Sequence, residues 1–287
     1  MKPRTRGARI GSALGYSADR LTVGLNAGFR GHVVPVRMTP GGFSEHYRQA
    51  HVDFAHSLVG VSAGRIVGIL LLGRRGWNSY VASMGVSPAH RGTGLAARLM
   101  EQALAGARTR GDRRVVLEVA EQNPRAIRFY EKMGFATTRR LAGYERAPGR
   151  GRAARLTELD PLEFARRVAL HGEKDLPWML AAETLAALGR PHRAYALGEG
   201  AAALVAETPG GVYLRGLVVP RALRRQGHAT RLLKALFARH PALPWKVSTH
   251  MPDTLAPEFL GAMGFTEGPI SLFEMEIRLP APASPPR

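Results

Sequence analysis

Apolar positions along this chain follow two periods that alternate. Leu95, Leu99, Ala103 and Ala107 recur at helical spacing and predict a helix over 94–107. Residues 18–27 predict an earlier helix with Ser17 as N-cap, and Thr39-Pro40 marks the start of a second, to about 51. Between and after these, short apolar runs bounded by glycine predict strands over 57–61, 65–72, 80–86 and 115–120. Gly73-Arg74-Arg75-Gly76 reads as the turn between the second and third of them. Asn123-Pro124 starts a short helix to Met133, and 136–145 reads as the strand that closes this sheet.

The same order then repeats. Asp160-Pro161 starts a helix, and 176–188 reads as another. Strands are predicted over 193–197, 201–207 and 212–219, then a helix over 227–239 and a strand over 245–249. A poorer helix over 255–263 leads to a last strand, 271–279. Residue matches support duplication. Val86, Ala89, Arg91, Gly94 and Ala96 recur as Val219, Ala222, Arg224, Gly227 and Ala229, at a constant offset of 133. Met133-Gly134-Phe135 recurs as Met263-Gly264-Phe265, at an offset of 130. Two matched pairs in the same order indicate two tandem domains rather than a short solenoid repeat. The expected boundaries are 1–148 and 153–279, joined by a Pro/Gly-containing linker at 147–152, with a disordered Pro-rich tail over 280–287. The expected class is α/β, with a mixed sheet flanked by helices in each domain.

Composition narrows the chemistry. The 287 residues contain no cysteine, which removes disulfides, thiolate metal sites and cysteine nucleophiles together. No apolar run approaches the roughly 18 residues of a membrane span. The basic start (Lys2, Arg4, Arg6, Arg9) is followed by no apolar signal region. A cytoplasmic protein with no membrane partner is expected. The net charge is +19, and the first 150 residues hold 24 Lys+Arg against 9 Asp+Glu. Such a field draws anions in and repels polycations. Arginine supplies 36 of the 41 basic residues, so composition bias is an equal account of the charge. Nucleic acid is not the expected partner, because Arg74-Arg75, Arg113-Arg114 and Arg139-Arg140 come with no aromatic stacking stripe. His46, His51 and His56 are spaced by five, which turns each ring by about 140° on a helix, so no metal site is expected there.

One junction carries the functional argument. Strand 80–86 runs into Arg91-Gly92-Thr93-Gly94-Leu95-Ala96 and then a helix. Glycines let the backbone approach a ligand, successive N–H groups share one concavity, and the helix end adds partial positive charge. These are the parts of a pyrophosphate cradle. The Lys-Ser/Thr of a P-loop and the acidic ribose partner of a dinucleotide fold are both missing. The second copy keeps the pattern as Arg224-Arg225-Gln226-Gly227-His228-Ala229.

Residues 91–96 resemble motif A of the GNAT superfamily of N-acetyltransferases, and 123–135 resemble its motif B. The resemblance implies two tandem GNAT-like acyl-CoA N-acyltransferase domains with acetyl-CoA as co-substrate. It further implies that Met84 and Val86 offer backbone groups to the pantetheine arm along a splayed strand, and that Arg91, Gly92, Thr93, Gly94, Leu95 and Ala96 hold the pyrophosphate. Asn123 either contacts the cofactor or caps its helix. Tyr130 protonates the departing thiolate, or is an aromatic packed beside Phe129. In the second copy, Val219, Arg224, Arg225, Gln226, Gly227, His228 and Ala229 are the corresponding cofactor contacts.

The copies differ where chemistry matters. Leu260 and Asp253 stand opposite Tyr130 and Asn123, so transfer is expected in the first domain only. Strand 80–86 lacks the glutamate that family members often carry there. Glu118, Glu121, Glu45, His46 and His51 remain as base candidates, with a water relay or an already deprotonated amine as alternatives. In the loop after the first helix, His32 lies in a region that faces the acceptor in this family, and is equally an ordinary loop residue. The expected function is acetyl transfer from acetyl-CoA to a primary amine, on a small molecule or a protein N-terminus. A non-catalytic CoA-binding regulatory module is the alternative. Two internal lobes favour a monomer.

Overall fold

A computed structural model describes residues 7–34 and 36–280. The expected tail and the residues Lys2, Arg4 and Arg6 therefore lie almost wholly outside the described residues. Within them the chain divides into two compact units, one made of the described residues up to 138 and from 273 on, the other of 139–272. No helix among the described residues is long and apolar enough to cross a membrane.

In the first unit, strand β1 (Arg9–Ser12) leads through helices α1 (Ala18–Gly28) and α2 (Pro40–Gln49) to β2 (Leu58–Ser62), β3 (Arg65–Arg75) and β4 (Asn78–Val86). Helix α3 (Leu95–Thr109), β5 (Arg114–Ala120) and helix α4 (Pro124–Lys132) follow. The sheet order is β1-β2-β3-β4-β5, completed by residues 273–278 of the chain's last strand, β12 (Thr266–Arg278). Two apolar layers cover it. One packs Leu95, Leu99 and Leu104 of α3 against Leu70, Val81 and Leu117, with Met275 and Leu279 completing the layer. The other packs Leu21 and Leu25 of α1 with Phe43 and Tyr47 of α2 against Ile69 and Leu71.

The second unit begins inside β6 (Ala136–Arg146). It continues through β7 (Thr157–Leu159), α5 (Pro161–His171), α6 (Ala182–Ala186), β8 (His192–Leu197), β9 (Ala201–Thr208) and β10 (Gly211–Val218). It ends with α7 (His228–Arg239), β11 (Trp245–Pro252), α8 (Pro257–Ala262) and the first half of β12. Its strand order is β12-β6-β11-β10-β9-β8-β7. Trp245 is fully buried in its core, against Phe237 at 5.0 Å between ring centroids.

Several expectations change. The boundary at 148/153 does not match the compact units. Most of β6, expected to close the first sheet, pairs with β11 in the second unit, Tyr144 opposite Val247. The end of β12, expected in the second domain, supplies core residues to the first. Alternation in a sequence marks a strand but carries no information about which edge it joins. The helix expected over 176–188 is broken: a 3-10 turn (Trp178–Leu180) and α6 are separated by Ala181, whose backbone is extended (φ −64°, ψ 151°). Pro177 forbids an earlier helical turn there. The short edge strands β1 and β7 were not expected, since three or four residues carry too little alternation.

Candidate functional site

The ladder between β4 and β5 is parallel and stops at Val81 opposite Leu117. On its other edge β4 carries a bulge. Leu71 faces Ser83 and Leu72 faces Val81, leaving Ala82 as the extra residue. A bulge bends a strand and increases its twist, so the two parallel strands part after Val81. Backbone groups of residues 83–86 on that side have no ladder partner in β5. Met84 and Val86 lie in this opened stretch, where an extended ligand can pair as an added strand.

The turn that follows is open to an anion. Gly92 and Gly94 take left-handed φ angles of 77° and 81°, with open space where a Cβ would stand. Gly94 is the N-cap of α3, no side chain caps the helix, and its first turn has no acidic residue. The N–H groups of Leu95 and Ala96 are thus left for a ligand. The Arg91 side chain has a different task. Its Nε donates to Val86 O (3.0 Å) and its Nη2 to Gly28 O (3.2 Å) and Arg30 O (2.6 Å). It clamps the end of α1 to the cradle. Gly28 and Gly85 permit this closeness, since a Cβ on Gly28 would stand 3.0 Å from the Gly85 carbonyl carbon. Thr93 Oγ1 donates to His90 O (2.7 Å), which stiffens the turn.

Asn123 caps α4, its Oδ1 accepting from Ala126 N–H at 3.2 Å. Its Nδ2 lies 3.4 Å from His32 Nε2. The His32 ring packs on Phe29 at 5.0 Å, and its Nδ1 is buried without a hydrogen-bond partner. Burial, then the Arg91 charge, lowers the His32 pKa, so the imidazole is neutral near pH 7. Tyr130 lies on α4 beside Phe129 (5.3 Å) and Phe135 (6.0 Å). The residue keeps a partly exposed edge, while the protein packed around its phenol pushes the pKa up to about 12. Of the two expected roles of Tyr130, the ring contacts give the packing one.

Among the base candidates, Glu118 stands out. It is the first β5 residue past the last paired one, and Tyr80 OH donates to its Oε2 at 2.7 Å. Burial and then Glu118 hold the Tyr80 phenol well above its ordinary pKa, so it stays a donor. Glu45 accepts from Gln49 Nε2 (3.3 Å) along α2 instead. On the other side of the bulge, Tyr47 OH and Ser83 Oγ are 2.6 Å apart.

The second unit repeats the scaffold. Its β10–β11 ladder is parallel and stops at Leu214 opposite Val247, and Arg215 is the extra residue of the bulge in β10. Gly227, φ 77°, is the N-cap of α7, again without a side-chain cap or an acidic first turn. Arg224 clamps the end of α5: Nε to Val219 O (3.4 Å), Nη2 to His171 O (2.5 Å), Nη1 to Glu173 Oε1 (2.8 Å). Gln226 Nε2 donates to Ala222 O (3.0 Å) and His228 Nδ1 lies 3.1 Å from Arg231 Nη2. Ala229 follows in the first turn of α7. Leu260, at Tyr130's place, is buried core. Sequence reasoning missed Arg215, because no local pattern distinguishes a bulge residue.

A parallel splay followed by a glycine-capped helix is thus present twice. Residues 34–135, within the first unit, match the acetyltransferase (GNAT) family model. The chain is 35% identical over 65 residues to N-alpha-acetyltransferase 30 of Schizosaccharomyces pombe, covering 23% of this chain and 43% of that protein. It is 36% identical over 85 residues to streptothricin acetyltransferase of Streptomyces lavendulae, covering 29% and 45%. The matches thus span less than half the length of these relatives. Over nearly the whole chain the fold is similar to two solved structures. One is a tandem GNAT protein from the clavulanic acid biosynthesis pathway, with TM-score 0.67 and 18% identity, covering 98% of this chain and 100% of that one. The other is a GCN5-related N-acetyltransferase from Sphaerobacter thermophilus, with TM-score 0.67 and 14% identity, covering 94% and 95%.

Proposed function

We propose that the first unit transfers an acetyl group from acetyl-CoA to a primary amine by direct attack on the thioester. The observation that carries this reading is the splay after Val81 and Leu117, with the glycine-capped start of α3 following β4. Backbone groups of Met84 and Val86 hold the pantetheine arm, and N–H groups of residues 92–96 hold the pyrophosphate. The amine nitrogen attacks the carbonyl carbon to give a tetrahedral intermediate. Backbone N–H groups along 84–86 stabilise its oxyanion. The ammonium proton passes to Glu118, directly or through one water. The C–S bond then breaks, and the leaving thiolate takes the Tyr130 hydroxyl proton. Asn123 serves as the cap that orients α4. A phenol whose pKa is about 12 keeps its proton at neutral pH, which suits it to wait for a thiolate.

The acceptor is an amine that a cationic surface does not repel, which favours a small molecule or an uncharged or acidic protein N-terminus over a polybasic tail. A cytoplasmic location and a monomeric state accord with a cysteine-free chain carrying two internal lobes.

The test is thiol release from acetyl-CoA in the presence of a panel of amines. The chain itself has no thiol, so the signal reads CoA alone. Amine-dependent release that falls in Tyr130→Phe with retained acetyl-CoA affinity supports the reading. Acetyl-CoA binding with no release for any amine, unchanged by that variant, favours a CoA-binding regulatory module instead.

A further inference from the structure

The second unit has an open cleft of about 630 Å³ at the place where β10 and β11 part. That size suits a small-molecule or cofactor ligand. Its walls are mostly apolar and include Leu176, Leu180, Leu214, Val218, Met251 and Phe259. The turn Arg224–Ala229 lines it at the end of β10, so the cavity joins the splay to the start of α7. Arg215 also lines it, four residues upstream of Val219. At strand rise this is roughly 13 Å from the cradle end.

Arg215 is out of place in such a wall. Its Nε is buried with no hydrogen-bond partner, and the guanidinium pairs with no carboxylate among the described residues. Burial lowers its pKa. Glu173 shares the cavity wall, but it is held by Arg224 at 2.8 Å. A largely buried cation without a counter-ion costs a fold stability, so a residue of this kind suits a site where a ligand supplies the anion. The first unit has Ala82 at the same bulge position and no such charge. Leu260, buried core, stands where the proposed proton donor Tyr130 stands in the first unit, which suits this cleft to holding a ligand rather than cleaving it.

We infer that the second unit binds a CoA thioester whose acyl group ends in a carboxylate, with Arg215 pairing with that carboxylate at the inner end of the cavity. The diphosphate lies at residues 224–229 and the pantetheine along 215–219. That the ligand is a CoA thioester, and the direction of its pantetheine, rest on the reading of the first unit. The acyl selectivity rests on Arg215 itself.

The test is calorimetric titration of the full chain carrying Gly94→Glu, which blocks the first cradle with a charge. The probes are succinyl-CoA, acetyl-CoA, and free succinate with CoA. The expected result is one site per chain, with succinyl-CoA bound at least tenfold more tightly than acetyl-CoA. Arg215→Leu is expected to reduce that ratio to below twofold, while Arg215→Lys retains part of it. Equal affinity for the two thioesters overturns the inference, as does a preference that persists in Arg215→Leu. Free succinate binding as tightly as succinyl-CoA also overturns it, since the carboxylate then belongs to a separate molecule. Folding is monitored in the same variants. Ligand-free Arg215→Leu is expected to melt at a higher temperature than its parent, because an unpaired buried charge is gone. A lower melting temperature makes Arg215 a structural residue and overturns the inference. Thiol release in the first unit is read separately, so failure there leaves this titration interpretable.

Discussion

Arg225 in the second unit takes the left-handed backbone conformation that Gly92 takes in the first, with φ angles of 64° and 77°. The two residues are equivalent by the 133-residue offset. A side chain in that region costs about 1 kcal/mol or more, which glycine avoids. The second turn therefore keeps the shape of the first against the preference of its own sequence. Strain that persists in this way points to a use for the shape.

Arg225→Gly is expected to stabilise the protein by roughly 1 kcal/mol, less what the freer unfolded glycine takes back. A rise of about 2–4 °C in melting temperature is the size to look for. The reverse change, Gly92→Arg, is expected to destabilise by about the same amount. Thermal melts of both variants check the pair.

Tyr130→Phe removes the proposed acid and leaves the ring packing with Phe129 and Phe135 in place. The expected loss in kcat is roughly 100-fold, within the range for positioned proton transfer, with acetyl-CoA affinity unchanged. The high pKa of this phenol has a sign that can be tested. Because it is raised to about 12, Tyr130 stays protonated through the assay range. The kcat profile should show no alkaline fall from this group up to pH 10. A tyrosine with an ordinary pKa would begin to lose activity there.

His32 links the site to stability. Its folded pKa lies below the ordinary 6.5 because of burial and the Arg91 charge. The unfolded chain thus binds the proton more readily, and stability rises with pH through this window. The contribution is complete above about 6.5 and is lost as pH falls through the lowered folded value. The melting temperature of the parent is expected to drop between pH 7.5 and 5 by more than that of His32→Gln.

The exchange of terminal strands gives a coarser prediction. Met275 and Leu279 are 0% and 7% exposed in the core of the first unit, although they lie more than 130 residues beyond Phe135. A truncated chain ending at Pro148, where a simple tandem boundary falls, lacks both. It is expected to show no cooperative unfolding transition by circular dichroism. Met275→Ala in the full chain is expected to cost about 2–5 kcal/mol.

Much of the candidate site could be read directly from local pattern. Gly92, Gly94 and Gly227 announce positive-φ turns because glycine takes that backbone without steric cost, and Ser17, Thr39, Asn123 and Asp160 announce caps because their oxygens reach a nearby N–H. The repeat followed from residue matches at fixed offsets. These features depend on neighbours within a turn or two, so a linear sequence contains them. Glu118 was one of several acids until its Tyr80 partner, 38 residues away, distinguished it. Arg91 looked like a phosphate ligand, yet its guanidinium clamps the end of α1.

The sequence by itself determined that two copies of one strand–turn–helix scaffold occur, and that only the first carries a tyrosine on its short second helix. Only the tertiary structure decided where strands 136–146 and 266–278 go, which residue is extruded at each bulge, and that Arg215 lines a largely apolar cleft with its Nε buried and unpartnered. The physical reason is the range of the interactions. Turn conformation and capping are settled by adjacent backbone groups, whereas strand partners, bulge registers and the burial of a charge are settled by chain segments brought together from far apart.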